Sequence, residues 1–74
     1  MEDVVYTVKE LAALLKSNVD YIHNLRKSGV LPFIKLGFYK VRKEAVEEFL
    51  AKYEGKDLSD PFNIVDIADV EQQD

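Results

Sequence analysis

Apolar residues recur with helical spacing in three stretches of the chain, and shorter alternating runs lie between the second and the third. The first stretch opens at Thr7-Val8-Lys9-Glu10, the pattern of a capping box. In this motif the Thr7 hydroxyl accepts from the Glu10 backbone N–H, and the Glu10 carboxylate accepts from the Thr7 N–H. The spacing predicts a short helix that ends near Lys16. Its predicted apolar side consists of Val8, Leu11, Ala12, Leu14 and Leu15.

A second helix begins at Ser17 or Asn18, because both residue types are good N-caps. The pattern alone does not decide between them, and we favour Asn18 because it gives the helix a continuous apolar side. The helix is predicted to run to about Ser28 and to stop at Gly29. Helix, short turn and helix form the outline of a helix-turn-helix. The predicted inner side consists of Val19, Ile22, Leu25 and the stem of Arg26.

Residues 33–36 and 39–42 are two short strand-like runs, with Gly37-Phe38 between them as a two-residue turn. A two-stranded hairpin is marginal by itself, so its apolar face should lie on the helices. Alternation along the strands predicts the two faces. One would hold Ile34, Leu36 and Val41, and the other Lys35, Lys40 and Arg42.

A third helix is predicted over residues 43–53, followed by Gly55. Its apolar positions at helical spacing are Val46, Phe49, Leu50 and Tyr53. The predicted fold class is therefore mainly α with a small β-hairpin: a winged helix-turn-helix domain over residues 1–55. Residues 56–74 form a separate C-terminal tail.

The tail is acidic but also partly apolar. It holds six of the chain's fourteen acids and one base, and Pro61 precedes its apolar positions. We rank three interpretations: the tail completes the thin core through Phe62, Ile64 and Val65, it binds a partner protein or a second copy, or it covers a basic face when DNA is absent. The tail's apolar residues are Phe62, Ile64, Val65, Ile67 and Val70.

Charge is strongly segregated along the chain. The formal net charge of the 74 residues is −4, yet seven of the ten Lys and Arg residues fall between positions 16 and 43, where Asp20 is the only acid. Attraction of a polyanion depends on local clustering more than on the total charge. The segregation therefore favours a nucleic-acid partner, with a plain solvated basic face as the alternative.

Several classes of protein are disfavoured. A chain of 74 residues is one domain at most. The absence of cysteine excludes disulfides, thiolate metal sites and a cysteine nucleophile. His23 has no metal-ligand partner in sequence, and the glutamates near the third helix are interpreted as surface charges. We therefore expect no enzyme, no metal and no cofactor.

The acidic start, Met1-Glu2-Asp3, lacks the order of a signal peptide, and no apolar run approaches the length of a membrane span. We therefore expect a cytoplasmic protein.

The ordered elements and their spacing resemble the excisionase-type DNA-binding domains, small winged helix-turn-helix proteins related in fold to the DNA-binding domains of MerR-like regulators. The resemblance covers residues 6–53. The residues that carry it are Tyr6-Thr7-Val8-Lys9-Glu10-Leu11-Ala12, Ile22, Leu25, Lys27, Gly29, Leu31-Pro32, Lys35-Leu36-Gly37, Tyr39, Val41 and residues 44–50.

The resemblance implies that the second helix enters the major groove and that the hairpin reaches the adjacent backbone or minor groove. Helix geometry gives the same reading face: if Ile22 and Leu25 point inward, the side with Asn24 and Lys27 points outward. Asn24 could pair with adenine, and Lys27 could meet a phosphate or guanine. The candidate DNA-contacting residues are Asn18, Asp20, Tyr21, His23, Asn24, Lys27, Lys35, Phe38, Lys40 and Arg42.

Some of these candidates have a second interpretation. The family commonly places basic residues early in the recognition helix and at the wing tip, where this chain has Val19 and Phe38. Asp20 repels phosphates but can accept from cytosine N4. Phe38 could insert between base steps, contact a protein, or pack back on the hairpin. Tyr21 could contact a phosphate or only flank the helix cap.

Two functions follow from these observations. The first is a double-stranded DNA-binding protein, either an excisionase or recombination directionality factor or a small transcription regulator of a phage or mobile element. Its partners would be DNA, an integrase or recombinase, and further copies that bind cooperatively. The second is a protein-interaction module that keeps the winged fold but does not read DNA.

Overall fold

Three helices and two small antiparallel sheets make up the structure, a computed structural model that describes residues 4–68. In chain order the elements are β1 (Val5–Thr7), α1 (Val8–Leu14), α2 (Val19–Ser28), β2 (Ile34–Leu36), β3 (Phe38–Arg42), α3 (Lys43–Lys52), β4 (Lys56–Asp57) and β5 (Val65–Asp66).

Side-chain caps fix the starts of the first two helices. The Glu10 backbone N–H donates to Thr7 Oγ1 at 3.0 Å, and the Thr7 N–H donates to Glu10 Oε1 at 2.9 Å. The predicted capping box is therefore confirmed. Asn18, rather than Ser17, caps α2, because Asn18 Oδ1 accepts from the Tyr21 N–H at 2.8 Å.

The hairpin belongs to a three-stranded sheet. The strand order is β1-β3-β2, and β1 pairs antiparallel with β3 through Tyr6 opposite Val41. The prediction of a two-stranded hairpin missed β1. Because β1 runs directly into α1, it attaches the hairpin to the start of the first helix.

The turn of the hairpin holds one residue instead of two. Leu36 lies opposite Phe38, so Gly37 alone forms the turn, with a φ of 79° that favours glycine. The predicted two-residue turn would have placed Leu36 opposite Tyr39. A shift of one residue sends every side chain of a strand to the other face.

The predicted apolar face of the hairpin is therefore wrong. Val41 is fully buried on the side of the sheet that packs on the helices. Ile34 and Leu36 are exposed on the opposite side, with Lys40. Lys35 instead lies opposite Tyr39 on the helix side.

The core lies between the three helices and the inner face of the sheet. The sequence-based prediction assigned three residues to the core that are in fact exposed, namely Leu14, Val19 and Leu50. Leu14 and Val19 are the last residue of α1 and the first of α2, beyond the packed turns. The core consists of Leu11, Ala12, Ile22, Leu25, Leu31, Val41, Val46 and Phe49.

The described part of the C-terminal tail packs onto the helices. Strands β4 and β5 pair with each other, Leu58 packs against the core, and Pro61 is buried. Of the three residues predicted to complete the core, Phe62 is 61% exposed, whereas Ile64 and Val65 are half-buried. Val70 and the other tail residues after position 68 lie outside the described residues.

Candidate nucleic-acid interface

Helix α2 has a buried side and a solvent-facing side, as its sequence predicts. Ile22 and Leu25 are fully buried. On the solvent-facing side, two residues are exposed and two are half-buried, and the four share about a third of the helix circumference. They are Asp20, His23, Asn24 and Lys27.

An open groove of about 510 Å³ runs between the start of α1, the start of α2 and the hairpin. It brings together four of the predicted contact residues, namely His23, Lys35, Phe38 and Lys40. It also includes Lys9, which the sequence interpretation had not selected. Because β1 pairs with β3 and leads into α1, Lys9 is carried to the hairpin. The remaining lining residues are Thr7, Val8, Val19, Gly37 and Tyr39.

Tyr39 connects α2 to the hairpin. The Arg26 guanidinium carbon lies 4.0 Å from the Tyr39 ring centroid, within the range of a cation–π contact. The Lys35 ammonium lies 5.2 Å from the same centroid, and the His23 ring meets Tyr39 edge-on at 6.4 Å. Arg26 Nε also donates to His23 Nδ1 at 3.4 Å. These contacts, which we call the Tyr39 brace, hold the hairpin against one flank of α2.

Arg26 was missed as a functional candidate because its stem was assigned to the core. Its spacing of three residues from His23 places both side chains on one flank of the helix. That spacing was visible in the sequence. The aromatic partner was not, because the contact of Tyr39 with Arg26 depends on how the sheet packs beside α2.

The groove is electrostatically positive. Three lysines line it, namely Lys9, Lys35 and Lys40. Glu10, which interacts electrostatically with Lys40, is engaged in the capping box. Hydrogen bonds from the Thr7 backbone and side chain lower the pKa of Glu10, and the charge of Lys40 adds to this effect. Such a groove attracts an anionic backbone more than a neutral surface does.

The tip of the hairpin is apolar and open to solvent. Phe38 is 82% exposed, and Leu36, its cross-strand partner, is 60% exposed. Phe38 therefore does not pack back on the hairpin. Both side chains lie on the outer face of the sheet, and Phe38 also borders the groove beside the starts of α1 and α2.

Six predicted contact residues do not line this groove: Asp20, Asn24 and Lys27 are on the solvent-facing side of α2, and the other three lie elsewhere. Arg42 is at the far end of β3, where its guanidinium pairs with Glu44 at 2.8 Å. Asn18 serves as the α2 cap. The Tyr21 hydroxyl donates to the Leu58 carbonyl, on the flank of α2 opposite the hairpin. Burial raises the pKa of the Tyr21 phenol, and Asp57 raises it further. A DNA contact by any of these residues stays a prediction.

Among residues 4–68, no group of three or more His, Asp or Glu side chains could hold a metal ion. No helix within the same range has the length and apolar character needed to cross a membrane.

A family model described as a helix-turn-helix domain matches residues 5–53, the span that contains β1 to β3 and α1 to α3. The match ends before the β4–β5 ribbon. No curated protein and no solved structure gives a significant match.

Proposed function

Because the chain belongs to the helix-turn-helix domain family, which supports DNA as its partner, we propose that α2 enters the major groove of duplex DNA and that the β2–β3 hairpin acts as a wing on the adjacent backbone. The observation that carries this proposal is the placement of Lys9, Lys35 and Lys40 in one groove beside the solvent-facing side of α2. A helix-turn-helix reads base edges from that side of its second helix.

In this proposal, side chains on the solvent-facing side of α2 contact the base edges. Asn24 has the donor and acceptor of a bidentate contact with adenine, and Lys27 suits guanine or a phosphate. His23 lies between them and the groove, where its imidazole can donate or accept. Asp20 accepts from cytosine N4 and disfavours a phosphate at the same place.

The groove lysines hold the sugar-phosphate backbone. Contacts to phosphates fix the orientation and register of a protein on DNA, but they carry little sequence information. Lys9 joins Lys35 and Lys40 in this role because β1 brings the start of α1 beside the hairpin. Arg42, which is paired with Glu44, contributes less.

The biological role that fits such a small domain is control of recombination or transcription in a phage or mobile element. Small DNA interfaces give limited affinity, so a single copy needs help from neighbours. Binding beside an integrase as an excisionase-like directionality factor, or in several copies at a promoter, would supply that help.

The test is a fluorescence-anisotropy titration at two salt concentrations. One labelled duplex covers the DNA around the gene, and a second has the same composition in scrambled order. We expect tighter binding to the first and a steep salt dependence, with a slope of about −0.9 in log K for each phosphate contacted. Weak binding without preference would contradict the proposal.

A second candidate function is a protein-interaction module, and an apolar groove of about 440 Å³ favours it. This groove lies between the turn after α1, α3 and the tail, away from the basic groove. Its apolar walls include Leu15, Phe49, Leu50, Leu58 and Ile67. A stable complex with a recombinase that does not require DNA, together with weak DNA binding, would support this function over the first.

A further inference from the structure

We propose that Phe38 is an apolar wedge that enters between two stacked base pairs from the minor groove and bends the duplex. The inference rests on the proposed DNA-binding function and adds an activity to it, deformation of the bound DNA. The ligand is a duplex step that unstacks readily, as pyrimidine–purine steps do.

The first support is the exposure of the Phe38 ring. At 82% exposed, it is the most exposed large apolar side chain among residues 4–68. An aromatic ring in water loses the stabilisation that burial would give it. Insertion between bases buries both faces of such a ring, and apolar side chains are used in this way by proteins that kink DNA from the minor groove.

The second support is the way in which the tip is attached to the rest of the domain. A wedge must resist the force that restacks the nucleobases, so the side chain needs a firm structural support. Gly37 makes the shortest possible connection between the strands, and the next residue after Phe38 is held by the Tyr39 brace. The brace fixes the wedge relative to α2, so reading in the major groove and insertion in the adjacent minor groove occur at a set spacing.

The third support is the charge around the tip. Lys35 and Lys40 flank it, and no acidic residue occurs between Asp20 and Glu44. An apolar ring framed by cations matches bases framed by phosphates. A protein surface would have to be apolar and strongly acidic at the same place.

The experiment uses the full chain and the duplex from around its gene. Successive adenines are replaced by 2-aminopurine, whose fluorescence rises when the base loses its stacking partner, and dyes at the two ends report bending by energy transfer. The variants are Phe38→Ala, Phe38→Leu, which keeps an apolar side chain, and Leu36→Ala as a matched control. Leu36 is the exposed apolar neighbour across the turn.

We expect the unmodified protein to raise 2-aminopurine fluorescence at one step and to bring the DNA ends closer together. Phe38→Ala should lose both signals and bind about tenfold more weakly, as when a stacking contact is removed. Its salt dependence should not change, because no charge is lost. Phe38→Leu should keep most of both signals, and Leu36→Ala should resemble the unmodified protein.

Two results would overturn the wedge while leaving the proposed function intact. One is salt-sensitive binding in which Phe38→Ala retains the fluorescence and bending signals. The other is unchanged DNA deformation together with altered self-association in sedimentation, which would assign Phe38 to a protein contact. If the unmodified protein shows no salt-sensitive binding at all, the proposed function and the wedge fall together. Circular dichroism of Phe38→Ala confirms that the variant is folded.

Discussion

The two flanks of α2 contact the rest of the molecule in different ways. On the hairpin flank, Arg26 and His23 meet Tyr39 beside a groove lined by cations. On the opposite flank, Tyr21 donates a hydrogen bond to Leu58, which packs against the core in an acidic segment. One helix therefore separates a basic surface from an acidic, partly buried one.

This difference indicates that folding stability and DNA binding depend on separate sets of side chains. Exposed cations contribute little to folding, because solvent screens them. Apolar burial at Leu58 contributes to folding but adds no positive potential. Changes on the hairpin flank should therefore alter binding at nearly constant stability, and changes on the tail flank should do the reverse.

The largest expected effect comes from reversing charge on the hairpin side. Lys27→Glu combined with Lys40→Glu should reduce DNA binding below detection, because two attractive charges become repulsive at the proposed phosphate contacts. Lys40→Glu alone should weaken binding to all duplexes alike and reduce the salt slope by about one. Anisotropy titrations at several salt concentrations measure both effects.

Lys52→Glu is the matched control for Lys40→Glu. It makes the same change in net charge on the exposed end of α3, outside the basic groove. It should leave the salt slope unaltered. Equal losses from both variants would mean that total charge, and not the groove, governs binding.

On the tail flank, Leu58→Ala should lower the free energy of unfolding by about 1–2 kcal/mol, less than for a fully buried leucine because Leu58 is half-buried. Urea unfolding measures the loss. DNA binding well below the melting temperature should not change. Tighter binding by the variant would instead indicate that the tail shields the basic surface.

The comparison also explains which structural features were predictable. The capping box at Thr7 and Glu10 and the Asn18 cap depend on contacts within one helical turn, and both were predicted correctly. The hairpin register was not predicted correctly, since the sequence around Gly37 is compatible with either a one-residue or a two-residue turn. The two turns differ in which side of β2 faces the helices, and tertiary packing determines that: Lys35, instead of Ile34 and Leu36, lies on the same side as Val41.

The candidate site, like the fold, was predicted from the sequence only in part. The solvent-facing side of α2 followed from its helical period. Lys9 and Arg26 were missed, because their roles depend on β1 and on the Tyr39 ring, which are long-range contacts. Local patterns define a helix face, whereas the neighbours of that face depend on tertiary packing.

Tyr21 offers a smaller test on the tail flank. Tyr21→Phe removes the hydrogen bond to Leu58 and should cost about 1 kcal/mol of stability, with no change in DNA affinity. A loss of affinity at unchanged stability would return Tyr21 to the set of phosphate contacts. Thermal unfolding and anisotropy separate these outcomes.

Alkaline titration examines the same bond. The pKa of Tyr21 is raised above its ordinary value of 10.0, first by burial and then by Asp57. The folded state therefore favours the neutral phenol, so its contribution is present below about pH 10 and is lost as the pH rises through the folded pKa. Tyr21→Phe should lack this part of the alkaline destabilisation. Parallel curves for the two proteins would contradict the assignment.

The smallest expected effect is at Glu10, where a substitution should change folding stability and DNA affinity in opposite directions. The pKa of Glu10 is lowered from 4.5 by hydrogen bonds from Thr7 and then by Lys40. Its contribution to stability is therefore present above that value and is lost as the pH falls through the folded pKa. Glu10→Gln should lower the melting temperature slightly at neutral pH and reduce the acid-side loss.

The same substitution should tighten DNA binding slightly, because it removes a negative charge that acts on Lys40 at the edge of the basic groove. Glu48→Gln is the control: it also removes one exposed carboxylate, but from α3 and outside that groove. Equal gains in affinity from both variants would show a general charge effect. A gain confined to Glu10→Gln would place the bound backbone beside the start of α1, where β1 delivers Lys9.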